Sequence, residues 1–187
     1  LQLEKTESLF MAALLLKQER FHVTVERLCH ELIEHHDDFS NSAIIGLQPR
    51  GIYLAKKIHY RLKEILGRQN VAKGDLDVTF YRDDFRRRSE PLKPQESDID
   101  FLLEGKKVIL VDDVLYTGRT VRAGMDALLD YGRPDKVEFL VLVDRRFSRQ
   151  LPIDADYVGM RVDARSSQNV KVEWGAIEGA DQIWLTE

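Results

Sequence analysis

Two adjacent carboxylates, Asp112 and Asp113, follow the apolar run Val108-Ile109-Leu110-Val111 and precede Val114-Leu115-Tyr116-Thr117-Gly118-Arg119-Thr120. Ionised aspartates accept hydrogen bonds, so a neighbouring pair can hold the vicinal hydroxyls of a ribose ring. Gly118 lets the chain turn tightly between two threonines, whose hydroxyls and nearby amides converge on one place. A helix expected from about Val121 adds its positive N-terminal end, and the whole turn reads as a cradle for a monoester phosphate. A phosphate at one end of a sugar and hydroxyls at the other describe an activated ribose phosphate. The acidic pair repels pyrophosphate directly but can orient its magnesium complex. The competing reading is a solvated turn before an ordinary helix cap; the length of the string, from Val108 to Thr120, argues against it.

Such residues need a frame. In an open parallel sheet ligands bind beyond the carboxyl ends of the strands, so the turn after Val111 is where a site belongs. Lys107 to Val111 is nearly all apolar, as expected of a strand covered on both faces, and Ser42 to Leu47 and Val137 to Val143 read the same way. Val25, Leu28, Cys29, Leu32 and Ile33 recur at helical spacing with Thr24 as N-cap, predicting a helix over Val25 to His35. After Gln48-Pro49-Arg50-Gly51, a second helical face runs through Ile52, Ala55, Ile58, Leu62 and Ile65. Val121, Met125, Leu128 and Leu129 mark a third helix, stopped by Gly132 and Pro134. Asp75 to Tyr81 alternates like a half-buried strand, and Tyr157 to Val162, Val170 to Trp174 and Gln182 to Leu185 are expected as short closing strands. Arg82 to Asp100 is charged, aperiodic and carries Pro91 and Pro94, the mark of a mobile loop. The alternation predicts a doubly wound α/β sheet, mainly parallel and flanked by helices.

Length and composition bound the rest. A chain of 187 residues suits one domain spanning residues 1–187. Its net charge of -4 gives no general attraction to nucleic acid, although a local basic patch can still bind RNA. No apolar run approaches the ~20 residues of a membrane span, so no membrane partner is expected. Leu9 to Leu16 follows Glu4 and Glu7 and lacks a cleavage site, and reads as a buried strand or docking arm rather than a signal peptide. Cys29 is the single cysteine, on the apolar side of its helix, where packing is favoured over reactivity; a reducing cytoplasm fits.

The segment Val108 to Thr120 resembles the phosphoribosyl-pyrophosphate motif of type I phosphoribosyltransferases. Within them the chain is similar to the bifunctional pyrimidine operon regulator/uracil phosphoribosyltransferase family. The likeness continues through Thr120 to Leu128, Gly132-Arg133-Pro134 and Leu142-Val143-Asp144-Arg145, and is supported by Arg50 to Lys56, Tyr81 to Asp84, Leu151 to Ile153 and Ala155 to Gly159. It implies the type I phosphoribosyltransferase fold with a small hood formed from about residue 145 to 187 and the N-terminal segment. It also implies an enzyme that moves a phosphoribosyl group onto a pyrimidine base, uracil to uridine monophosphate, with Mg2+ accompanying phosphoribosyl pyrophosphate. By the same resemblance Asp112 and Asp113 hold the ribose hydroxyls, with an indirect hold on the metal, and Val114, Leu115 and Tyr116 lead into the turn Thr117 to Thr120 that holds the 5′-phosphate. Pro49, Arg50 and Gly51 meet the pyrophosphate, Arg82 and the loop after it close over the reacting groups, and Arg145 and Val162 contact the base. Read without the resemblance, Arg145 is either a surface ion pair or a ligand contact, and Val162 is core. A homodimer or larger homo-oligomer is also implied, for which residues 10–16, Trp174 and Trp184 offer apolar surface or merely core.

Departures from the family fall at defined places. Pro49 replaces the threonine of Thr-Arg-Gly and removes a hydroxyl and an amide proton. The loop after Arg82 is short and holds Arg86-Arg87-Arg88. Asp144-Arg145-Arg146-Phe147-Ser148-Arg149 stands where the family reads Asp-Arg-Gly-His-Arg-Glu, so any positive φ needed at Arg146 is opposed by its side chain. Glu26 replaces a neutral threonine associated with RNA binding, and a carboxylate there repels a phosphate backbone; His30 is retained, as a contact or as structure. Two further functions stay open: an RNA-binding attenuator that senses the nucleotide with little or no catalysis, and transfer to a purine or another base.

Overall fold

The computed structural model describes residues 12–83 and 96–187. Along the chain run β1 (Ala13–Leu16), α1 (Gln18–His36), β2 (Ser42–Leu47), α2 (Gly51–Leu66), β3 (Ala72–Leu76), β4 (Lys107–Leu115), α3 (Arg119–Leu128), β5 (Lys136–Arg146), β6 (Tyr157–Asp163), β7 (Asn169–Glu173), α4 (Gly175–Glu178) and β8 (Gln182–Thr186). Five strands form a parallel sheet in the order β3-β2-β4-β5-β6, and β1-β8-β7 form a separate antiparallel sheet.

The continuous apolar runs of β2, β4 and β5 follow from burial on both faces of the parallel sheet. Ile44, Ile109, Leu140 and Leu142 turn to one side, where α1, α2 and the small sheet cover them. Ala43, Ile45, Val108, Leu110 and Val141 turn to the other, against α3. Each such Leu or Ile stabilises the fold by roughly 1.5–3 kcal/mol. Small residues bring α3 close: a Cβ on Gly124 would stand 2.8 Å from Leu47 Cδ2, and Ala123 and Ala127 flank it.

Several expectations shift in the structure. α1 begins at Gln18, and Thr24 is inside it, its Oγ1 donating to Arg20 O at 2.9 Å rather than capping. β3 runs Ala72–Leu76 instead of Asp75 to Tyr81; the Asp77 carboxylate accepts from Thr79 N and Oγ1 at 3.0 and 2.6 Å, folding Thr79–Tyr81 into a 3-10 turn. The stripe expected to bury α3 is rotated: Met125 and Leu129 are exposed, and Ala123, Gly124 and Ala127 take the inner face with Val121 and Leu128. Of the closing strands, β6 extends the parallel sheet while β7 and β8 leave it.

Ala13–Leu16 of the N-terminal apolar patch is a strand paired with β8. Phe10 and Met11 of that patch and the arginine run 86–88 lie outside the described residues. Trp174 is fully buried, against Phe21 at 5.5 Å and Tyr53 at 5.9 Å between ring centres, so it is core and not open surface. No helix among the described residues is long and apolar enough to cross a membrane.

Candidate active site

The acidic pair lies within β4, not in a turn after Val111. The strand continues because β5 keeps pairing with it, Asp112 beside Val141 and Leu115 beside Asp144. Both carboxylates are consequently buried at 8% exposure, and Asp112 Oδ1 accepts the Asp113 backbone N–H at 2.9 Å. Burial and the neighbouring Asp113 charge push Asp112 well above the usual carboxylate range. Burial also raises Asp113, against the lowering pull of Arg50.

Arg50 reaches the pair from the start of α2, its Nε donating to Asp113 Oδ2 at 3.1 Å. Its Nη2 donates to Val172 O of the small sheet and faces Glu178 Oε1 at 3.6 Å. Gly51 makes this approach possible: a Cβ there would strike Val111 O and stand 2.9 Å from Asp112 Cα. Pro49, beside Arg50, follows a cis peptide bond from Gln48.

Past β4, Tyr116 is exposed and Gly118 adopts φ +91° at the N-cap of α3. Arg122 N donates to Gly118 O at 3.1 Å, so the amides of residues 119–121 precede the first helical bond and lie beside the Thr117 and Thr120 hydroxyls. Arg82 Nη1 donates to Thr120 Oγ1 at 2.8 Å and lowers the nearby Asp112, which brings its cation to the same turn. Asp83 next to it pairs with Arg119 and, at 3.5 Å, with Arg122. Chemically, the assembly offers two buried acceptors, two guanidiniums and a ring of donors.

Arg145 and Val162 are register partners across β5 and β6, and both are buried. Arg145 donates Nη2 to Arg165 O at 2.8 Å, lies 4.3 Å from the Tyr116 ring centre and leaves Nε with no partner. It is therefore not a surface ion pair. The positive φ of this corner belongs to Phe147 at 63°, not to Arg146, which extends β5 and makes two bonds to Asp163 at 2.6 and 2.7 Å. A cavity of about 430 Å³ opens beside Asp144, Arg146 and Arg161, on the strand face opposite to Arg145.

Sequence reasoning took Arg149 only as part of the departing stretch Asp144 to Arg149 and missed its reach back to Leu115 and Tyr116, and it passed over Glu178 beside Arg50. Neither contact carries a local signal, because Leu115 and Tyr116 are distant in the chain from Arg149, and Arg50 from Glu178. On α1 the Glu26 carboxylate is held by Arg61 at 2.5 and 2.7 Å and lies 3.5 Å from His30.

The phosphoribosyl transferase domain family matches residues 12–175 of the chain. The bifunctional protein PyrR of Bacillus subtilis (strain 168) is 42% identical over 177 residues, 94% of this chain and 97% of that protein. Its counterpart in Enterococcus faecalis (strain ATCC 47077 / OG1RF) is 45% identical over 161 residues, 86% and 89% of the two chains. Among solved structures, a hypoxanthine phosphoribosyltransferase from Staphylococcus aureus superposes with a TM-score of 0.68 at 17% identity, over 91% of this chain and 90% of that one. That last likeness is one of fold.

Proposed function

The chain belongs to the phosphoribosyl transferase domain family, with the bifunctional PyrR proteins as relatives, and on that premise we propose that it transfers the phosphoribosyl group of phosphoribosyl pyrophosphate to uracil, giving uridine monophosphate. The observation that carries the reading is the buried pair Asp112 and Asp113 at the end of β4, bracketed by Arg50 on one side and the α3 turn with Arg82 on the other. In the reaction the bond from ribose C1 to the pyrophosphate oxygen breaks as a base nitrogen bonds to C1 and gives up its proton. Positive charge grows on the sugar and negative charge on the leaving group, so positioning and electrostatics matter more than a nucleophile. Asp112 and Asp113 hold the 2′- and 3′-hydroxyls, fixing the ring. Thr117, Gly118, Arg119 and Thr120 bind the 5′-phosphate. Arg50 takes the departing pyrophosphate, with Pro49 and Gly51 shaping its turn. Arg82 and the residues after it cover the site and exclude the water that would hydrolyse the activated sugar. Arg145 and Val162, register partners across β5 and β6, border the base.

Among the described residues no cluster of three or more His, Cys, Asp or Glu could cage a metal. Magnesium needs no cage, since it keeps waters and binds through one or two carboxylates with substrate phosphates, and Asp112 and Asp113 suit that share. Bound with the substrate, it neutralises charge on the pyrophosphate.

Incubating the protein with magnesium, phosphoribosyl pyrophosphate and a panel of bases tests the reading. Nucleotide is expected from uracil; a purine taken in preference would replace the base assignment, and no nucleotide from any base would overturn the catalytic reading. A regulatory second activity, binding of pyrimidine-operon leader RNA governed by the same nucleotide site, is supported by the bifunctional PyrR relatives, and Glu26 is no bare repellent to phosphate because its charge is met by Arg61. Salt-sensitive binding to that RNA checks it. A homodimer or larger assembly and a cytoplasmic location belong to the same proposal, and sedimentation and fractionation read them.

A further inference from the structure

Residues 149–153 run beneath the phosphate turn and meet nearly every residue of it. Arg149 Nη1 lies 3.2 Å from Leu115 O, 2.7 Å from Tyr116 O and 3.2 Å from Arg145 O, its Nε donates to Ile153 O at 2.9 Å, and its Nη2 donates to Asp144 Oδ1. The next two amides, Gln150 N and Leu151 N, donate to Thr117 O at 3.0 and 3.3 Å. The Gln150 side chain accepts from Arg119 Nε at 2.8 Å, and Leu151 and Ile153 wall in Gly118, where an added Cβ would touch both at 3.5 Å.

Leu115 to Arg119 are thus held from below one after another, by a stretch that belongs to no helix or strand. Arg149 is the pivot: its side chain is only 20% exposed, and its guanidinium ties the carbonyls leading into the turn to the end of β5. A planar fork with five fixed donors can serve four backbone carbonyls and a carboxylate at once; an ammonium cannot reach them all.

We propose that Arg149 is a positioning residue for the phosphoribosyl group: it never touches substrate, and it holds the carbonyls of Leu115 and Tyr116 away from the anion so that the amides and hydroxyls of Thr117 to Thr120 face it. The inference rests on the assignment of that turn to the 5′-phosphate. Its consequence is selective by ligand. Binding of a 5′-phosphate depends on Arg149, whereas binding of pyrophosphate alone, which belongs to Arg50, does not.

Calorimetric titration of the full chain with ribose 5-phosphate and, separately, with magnesium pyrophosphate tests this. Arg149→Lys keeps charge and stem and guards against loss of folding; Arg149→Ala removes both. Ribose 5-phosphate should weaken by about tenfold or more in each folded variant, the scale of a lost charge-assisted bond, with pyrophosphate affinity unchanged. Equal weakening of both ligands would assign Arg149 a general structural role, and wild-type affinity for ribose 5-phosphate in Arg149→Lys would remove the proposal outright. Failure of the wild-type protein to bind ribose 5-phosphate would instead overturn the assignment of the turn.

Discussion

Asp112 pulls stability and binding in opposite directions. Burial and the Asp113 charge raise its carboxyl well above the unfolded value of about 3.9, so its contribution to stability is complete below that value and is lost as pH rises through the folded one. Above the unfolded value the protein bears a cost for the buried carboxyl that the unfolded chain does not. Asp112→Asn removes that cost while its side-chain oxygen still accepts the Asp113 amide. Thermal melts should place the variant above wild type at pH 8, by about 2–4 °C per kcal/mol gained, and level with it below about pH 3.9; a lower melting point at pH 8 would contradict the argument. The same variant should lose phosphoribosyl pyrophosphate affinity. Asp113→Asn and Thr117→Ala should each weaken that ligand by about tenfold while remaining folded, as calorimetry and circular dichroism would read. Cys29 is inert by contrast: fully buried, with its thiol pushed up to about 12 by burial first and by Glu26 second, it should resist a thiol reagent at pH 8 until the chain unfolds.

At the scale of elements, the position of the site depends on how closely α2 approaches β4. Gly51 sits where a Cβ would collide with the Val111 carbonyl and Asp112 Cα, both backbone and unable to yield. Gly51→Ala should cost about 1–3 kcal/mol in urea unfolding and displace Arg50 from Asp113, with a matching loss of pyrophosphate binding; a variant with unchanged stability would mean that α2 can slide. The sequence displays β2, α2, β4 and β5 openly because two-sided burial forces continuous apolar runs and helical periodicity. It conceals the end of β3, where a single Asp77 side chain bends the backbone, and the start of α1, which lacks a side-chain cap. At the candidate site, the acidic pair and the glycine turn before α3 are legible because their signal is local. The extension of β4 through the pair, the stacking of Arg145 on Tyr116 and the hold of Arg149 depend on pairings between distant segments, and composition carries no trace of them.

Across the molecule, the opposite end of the parallel sheet holds a buried polar network. His36 Nε2 lies 2.9 Å from Glu138 Oε2, its Nδ1 2.9 Å from Ser42 Oγ, while Lys136 meets Glu138 at 2.6 Å and the Tyr157 hydroxyl lies 3.3 Å from both His36 and Glu138. Burial holds His36 below its ordinary value. Glu138 is also lowered, because Lys136, His36 and Tyr157 together outweigh the opposing effect of burial. The unfolded chain therefore takes up protons first: the His36 contribution is complete above its unfolded value of about 6.5 and falls away below it, and the Glu138 contribution is lost below about 4.3. Urea midpoints should decline from pH 7.5 to 5.5, and His36→Gln should flatten that part of the curve; a flat wild-type profile would exclude the network as the source of acid sensitivity. The small sheet has a consequence of another kind, in the order of assembly. β1 at residues 13–16 pairs with β8 at residues 182–186, the longest loop closure among the described residues, whereas each neighbour in the parallel sheet can join over shorter spans. That pairing should form last in refolding, and β7, whose Val172 carbonyl receives Arg50, settles with it. The cation beside the acidic pair thus gains its second anchor only at the closing event of folding, so a chain with its parallel sheet already built would hold Arg50 by Asp113 alone.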